Sequence, residues 1–184
     1  MTDLLLSPHN DDAELFAAYT CLRNRPHVVV CLKADVQEHR GTGITAEMRE
    51  TETQCSMNIL GCDWQQLPVS ETNPSEDDLE AWFRRLRKNM KPERVWAPCV
   101  EPNGHDHHNM VGQSAWNIFG VRVRPYMTYM RGSGRSKGKT TVVPTVGERD
   151  LKRQALNCYE TQINLENTAF WFSDESDWDR EWLA

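Results

Sequence analysis

No run of apolar residues in the 184-residue chain approaches the roughly 18 needed to span a bilayer, so a membrane-embedded reading is set aside. The opening stretch from Met1 to Ser7 is apolar only briefly and has no basic segment before it, so it reads as a first strand and not as an export signal. Positive charge is in deficit, with 21 Lys and Arg against 27 Asp and Glu and a net charge of −6. That balance disfavours a bulk polyanion, because duplex nucleic acid is met by a basic surface; nucleic acid stays open only as a weaker alternative. The six cysteines, Cys21, Cys31, Cys55, Cys62, Cys99 and Cys158, include no CxxC pair, which excludes a zinc-finger pattern. Without an export signal they are expected to be reduced thiols of a cytoplasmic protein. Neither an internal repeat nor a linker divides the chain, and one domain over 1–184 is expected.

What is present is alternation. Leu4–Ser7 ends in a polar turn, and apolar spacing predicts a helix over 13–22 carrying Leu15, Phe16, Tyr19 and Leu22. Residues 27–32 have the composition of a buried strand. A helix is predicted over 45–60, with Met48, Cys55, Ile59 and Leu60 as its stripe and Gly61 as its stop. Another is predicted over 77–90, with Leu79, Trp82, Phe83 and Leu86 on one face. A strand over 94–100, a helix over 108–119, strand-like runs over 126–130 and 140–146, and a helix over 148–162 complete the pattern. Strands alternating with helices define an α/β fold, a Rossmann-like three-layer α/β/α arrangement with a mostly parallel sheet. In such folds ligands sit beyond the carboxyl ends of the strands.

Two loops at such positions carry chemistry. The first is Pro8-His9-Asn10-Asp11-Asp12-Ala13-Glu14: an imidazole and two adjacent carboxylates, all ordinary zinc ligands. Asn10-Asp11-Asp12 could equally cap the helix that follows. The second is His105-Asp106-His107-His108, three imidazoles in four residues after a predicted strand. Four of the six histidines thus fall in two loops, whereas His27 and His39 stand alone and read as structural.

Together these motifs resemble the LmbE-like or PIG-L family of zinc-dependent de-N-acetylases. The family's His-Pro-Asp-Asp is matched by His9-Asn10-Asp11-Asp12, continued by Ala13-Glu14-Leu15; its His-Pro-Asp-His is matched by His105-Asp106-His107-His108, continued by Val111-Gly112. Arg49 before Leu60-Gly61, and Lys152, Ala155-Leu156, Tyr159, Thr161 and Gln162, extend the likeness along the chain. Asn10 replaces a proline, which changes turn rigidity more than chemistry. His107 replaces an aspartate, which bears on how neighbouring groups are oriented.

The resemblance implies a metal-dependent amidohydrolase. His9, Asp12 and His108 would hold Zn²⁺, with a position left for water and substrate. Asp11 would be the general base, and His105 would stabilise the oxyanion or protonate the leaving amine. Arg49, His107 and Gln162 would lie on the substrate side; for Arg49 a plain surface position fits the sequence as well. The partner implied is a small N-acylated molecule, an N-acetylated amino sugar before others, with no membrane and with room for a homo-oligomer. A nucleotide- or nucleic-acid-linked acylated amine, or an inactive sugar-binding module of the same fold, are the alternatives. The basic, glycine-rich 131–139 reads as a hairpin loop or a lid over an anionic substrate. The acidic tail over 173–182 reads as a packed cover with a solvated face, or as an aromatic surface made by Trp178 and Trp182.

Overall fold

The structure is a computed structural model that describes residues 3–34, 42–130, 134–166, 168–173 and 178–184. Its elements run β1 (Leu4–Ser7), α1 (Asp12–Phe16), α2 (Ala18–Asn24), β2 (His27–Val30), α3 (Ala46–Leu60), β3 (Trp64–Gln66), α4 (Glu76–Met90), β4 (Val95–Pro98) and α5 (Asp106–Phe119). They continue with β5 (Val123–Tyr126), β6 (Tyr129–Met130), β7 (Gly134–Arg135), β8 (Thr140–Val142), α6 (Val146–Leu156), α7 (Glu160–Ile163), α8 (Ala169–Phe172) and β9 (Glu181–Leu183). Seven strands form one sheet in the order β3-β2-β1-β4-β5-β9-β8. The first five are parallel, and β9 pairs antiparallel with β5 and β8. The α/β fold with a mostly parallel sheet is therefore as the sequence pattern predicts.

Alternation along the strands sends side chains to two cores. Leu4, Leu6, Val29, Val95 and Ala97 join Leu79, Phe83 and Leu86 of α4 and Val111 and Ala115 of α5 on one face. Leu5, Val28 and Trp96 join α1, α2, α3 and α6 on the other. Strand order reverses between β1 and β4, so the loops following these two strands flank the crevice where open α/β sheets bind ligands. Gly112 sets the seating of α5: a Cβ there would lie 2.4 Å from the Pro98 carbonyl oxygen, so only glycine lets the helix approach the end of β4 this closely.

Several elements differ from expectation for identifiable reasons. The helix expected over 13–22 is broken at Ala17. The Leu15 carbonyl accepts from Lys152 Nζ at 3.0 Å and Arg135 Nη1 at 2.7 Å, while the Tyr19 N–H donates to the Glu181 carboxylate at 3.2 Å. A Lys152–Glu181 pair, 2.6 Å apart and buried, thus stands where the Leu15–Tyr19 helical bond would be. The helix expected over 148–162 is two pieces, α6 and α7. β3 and β9 were not anticipated. In the described part of the tail Glu181 and Trp182 are buried in β9, and Trp178 packs under the Arg153 guanidinium, 3.8 Å from its ring centre; residues 174–177 lie outside the described residues. In α3 the expected stripe is displaced: Met48 and Cys55 are exposed, and the buried face is Arg49, Glu52, Thr53, Ser56, Met57 and Leu60.

The thiol expectation is corrected at one pair. Cys55 and Cys158 form a disulfide with Cα atoms 6.0 Å apart, whereas Cys21, Cys31, Cys62 and Cys99 are free. A separation of 103 residues hides this pair from any spacing rule; the packing of α3 beside α6 creates it. The segment over 131–139 is a hairpin in its described part, with Tyr129 facing Arg135 and Met130 facing Gly134; residues 131–133 lie outside the described residues, as does His39.

Candidate active site

The first loop is built by its own hydrogen bonds. Ser7 Oγ donates to the His9 carbonyl and accepts from the Ala13 N–H, folding the chain from β1 into α1. Asn10, where the motif it resembles has proline, is buried: its amide donates to Thr53 Oγ1 at 2.9 Å and Gln66 Oε1 at 3.2 Å, and its carbonyl accepts from Tyr159 Oη. The turn that a proline ring would stiffen from within is thus pinned from three outside elements. Asp12 Oδ2 accepts from the His9 N–H at 2.8 Å and lies 2.9 Å from His9 Nδ1.

The second loop follows β4. Asn109 pins it through Glu101, and Gly104 bridges to Met130. His105 caps α5, its Nδ1 accepting from the His107 N–H at 3.2 Å. One turn on, His108 is buried, with Nε2 3.2 Å from Asp12 Oδ2 and Nδ1 3.0 Å from Thr128 Oγ1.

His9, Asp12 and His108 therefore converge from two loops, each offering a donor atom within 4.8 Å of the others. The set suits a divalent cation on two counts. His108 Nε2 is buried close to Asp12 without a hydrogen bond, and a carboxylate between two imidazoles is an ordinary zinc donor set. The electrostatics agree. Burial pulls His9 down, but the Asp12 charge and hydrogen bond outweigh it and raise it to about 9, so a proton supplies positive charge beside Asp12. Asp12 is held well below the usual carboxylate range, because the His108 and His9 interactions overcome the burial that opposes them. His105 and His107 are pushed the other way, to about 3 and about 4, first by burial and then by the charges of His9 and His108.

Arg49 is not a surface residue. It is buried, donates to Asp11 Oδ2 at 3.1 Å, Glu52 Oε2 at 2.7 Å and Thr161 Oγ1 at 3.2 Å, and lies over the Tyr159 ring. Asp11 is thereby held apart from Asp12, which answers how two adjacent carboxylates face different partners. His107 packs its ring against that of His105, with centres 4.9 Å apart, and also makes a direct side-chain hydrogen bond to His9, Nδ1 to Nε2 at 2.9 Å. A cavity of about 250 Å³ is lined by His9, Asp11, Asp12, Arg49, His105, His107 and Gln162. All candidate site residues except the buried His108 thus line one cavity.

Sequence reasoning missed the other wall. Tyr129 and Trp171 stack with ring centres 4.6 Å apart, and with Leu15 and Phe172 they face the charged side; Glu71 stands at 3.7 Å from His9 Nε2. Thr128, which orients His108, also went unseen. Apart from Leu15, which continues the first motif, none of these residues belongs to a local motif, and no spacing could have found them.

Fold and site together define an α/β protein with a metal-type donor set at the switch point of its sheet. A family model described as PIG-L, GlcNAc-PI de-N-acetylase, matches residues 4–119, and the chain belongs to that family. No curated protein matches the chain. Among solved structures, a triple mutant of a deacetylase of teicoplanin biosynthesis has a TM-score of 0.73 at 16% identity, covering 93% of this chain and 88% of its own. The zinc-inhibited form of teicoplanin deacetylase gives 0.66 at 17% identity, with 95% and 91% covered. A 4-carboxy-2-hydroxymuconate hydratase from Pseudomonas putida gives 0.70 at 15% identity, with 94% and 83% covered. These likenesses establish the shared fold; deacetylases and a hydratase stand on it, so the reaction must be argued from the site. Among the described residues, no helix is long and apolar enough to cross a membrane.

Proposed function

We propose that this protein is a zinc-dependent amidohydrolase that removes an N-acyl group, acetyl before others, from an amino sugar or a similar small molecule. The observation that carries the reading is the convergence of His9, Asp12 and His108 beside Asp11, in a cavity of a PIG-L family member. Zinc held by these three residues would supply Lewis acidity to the amide carbonyl and to an attacking water.

The protein's own groups have distinct work. Asp11, fixed at Oδ2 by Arg49, takes the water proton and can return it to the departing amine. His105, neutral at physiological pH, donates a hydrogen bond to the oxygen that becomes negative in the tetrahedral state. Thr128 fixes the ring of His108, and His107 fixes that of His9, which keeps the donor set in register. Tyr129 and Trp171 offer an apolar face against which the C–H side of a sugar ring can lie, while Arg49, Glu71 and Gln162 supply polar contacts opposite. A teicoplanin deacetylase of the same fold has a zinc-inhibited form.

Metal analysis of the purified protein, followed by amine release from a panel of N-acetylated sugars and nucleotides, tests the reading. Near-stoichiometric zinc and turnover of an acetylated amino sugar are expected. Zinc-loaded protein that releases no amine from any acylated substrate would return the chain to the inactive binding-module alternative. Preference for a nucleotide would keep the chemistry and change the substrate.

A further inference from the structure

The histidine at 107 does more than replace an aspartate. It places a third imidazole beside His9 and His105, and the three rings lie with centres 4.9 to 5.4 Å apart. His9 uses its two ring nitrogens in opposite directions: Nδ1 faces Asp12, and Nε2 faces His107 at 2.9 Å, with Glu71 Oε1 3.7 Å away. Each of His9, His105 and His107 offers a donor atom within 4.8 Å of the other two. All three line the cavity and are only half-buried, whereas Asp12 and His108 are buried behind them.

We propose that His9, His105 and His107 form a second divalent-cation site at the mouth of the cavity, one that takes a second zinc ion and thereby blocks the pocket. Imidazole nitrogen is a good donor for zinc, and three such donors with an open position match ordinary zinc coordination. A carboxylate at Glu71 lies close enough to His9 to offset the charge. Because His9 serves both sets through one ring, it must release its remaining ring proton to solvent when both ions are held, and the second ion binds more weakly than the first. Occupancy also consumes His105, the oxyanion donor, so the second ion inhibits. The proposal rests on the zinc reading of the deeper set for its first equivalent.

Titration of the zinc-free protein with zinc, against a chromophoric chelator and by calorimetry, decides it. Wild type should take two equivalents, the second weaker. His107→Asn, with His107→Gln as a second ring-free variant, should keep the first equivalent, weakened by the lost contact to the His9 ring, and lose at least about ten-fold more affinity for the second than for the first. Asp12→Asn should lose the tight equivalent and retain the weaker one, which separates failure of the deeper set from failure of the outer one. Zinc beyond one equivalent should slow amine release by wild type more than by His107→Asn. A single equivalent in wild type, or two undiminished equivalents in both ring-free variants, would overturn the outer site.

Discussion

Helices α3 and α4 are each 15 residues long and begin alike, with a hydroxyl side chain, Thr45 or Ser75, accepting from a backbone N–H three residues on. Beyond that they differ. α4 buries Leu79, Phe83 and Leu86 against the sheet and leaves most of its charges exposed. α3 buries Arg49, Glu52, Thr53 and Ser56 along with Met57 and Leu60, and leaves Met48 in solvent. A buried polar face costs stability unless each group is paired. Here the pairing is to the site: Arg49 to Asp11, Glu52 to Thr161, Thr53 to Asn10, Ser56 to Glu14. Both faces of the sheet bury an apolar core, but α4 contributes packing alone, whereas α3 also holds the first site loop and Asp11 in place.

The comparison is broken most severely at Asp11. Asp11→Asn should lower kcat by about 100- to 10,000-fold, the scale of a lost general base, while zinc content and far-UV circular dichroism stay unchanged. Near wild-type turnover would remove Asp11 from its role. A smaller effect is expected where the shell meets the donor set. Thr128→Val should weaken zinc binding by about 10- to 100-fold, read by chelator competition, because His108 loses the partner that fixes its ring.

On the apolar side, Phe83→Ala should cost about 3–5 kcal/mol of unfolding free energy in urea denaturation, with kcat/KM unchanged where the protein stays folded. On the polar side, Glu52→Gln should cost less, about 1–3 kcal/mol, since the buried Arg49 loses one of its two carboxylate partners and keeps Asp11. It should also lower activity by loosening Asp11. Equal loss of activity in both variants would mean that the two helices do not differ in this way.

The smallest effect belongs to an ion pair of the same chemistry at the surface, Arg23–Glu148. The hydrogen bond from Arg23 holds Glu148 down to about 2 from an ordinary 4.5. A lowered carboxylate favours the folded state above its unfolded value and loses that contribution as pH falls from about 4.5 through about 2. Solvent screening keeps it small. Glu148→Gln should therefore change Tm slightly at neutral pH and flatten its acid dependence in that window; an unchanged acid slope would show that the pair contributes nothing measurable.

Legibility in the sequence followed the range of the interactions. The parallel sheet, the α4 stripe and both site loops were readable, because strand composition, helical spacing and clustered His and Asp are local properties. Asp11, Asp12, His9, His105 and His108 announced themselves as residue types in two short segments, and Gly112 as part of a motif. What tertiary structure alone decided lies between segments far apart in the chain. Lys152 and Glu181 interrupt a helix at Ala17 by taking its backbone partners, which no local pattern in 13–22 encodes. Arg49 looked equally fit for the surface until packing put Asp11, Glu52 and Thr161 around it. His107 reaches His9 as well as its neighbour His105 because β1 and β4 lie side by side, which brings loops 98 residues apart within hydrogen-bond range. Residue chemistry is written locally; the partner that directs it is chosen by the fold, because a hydrogen bond depends on distances that sequence separation does not measure.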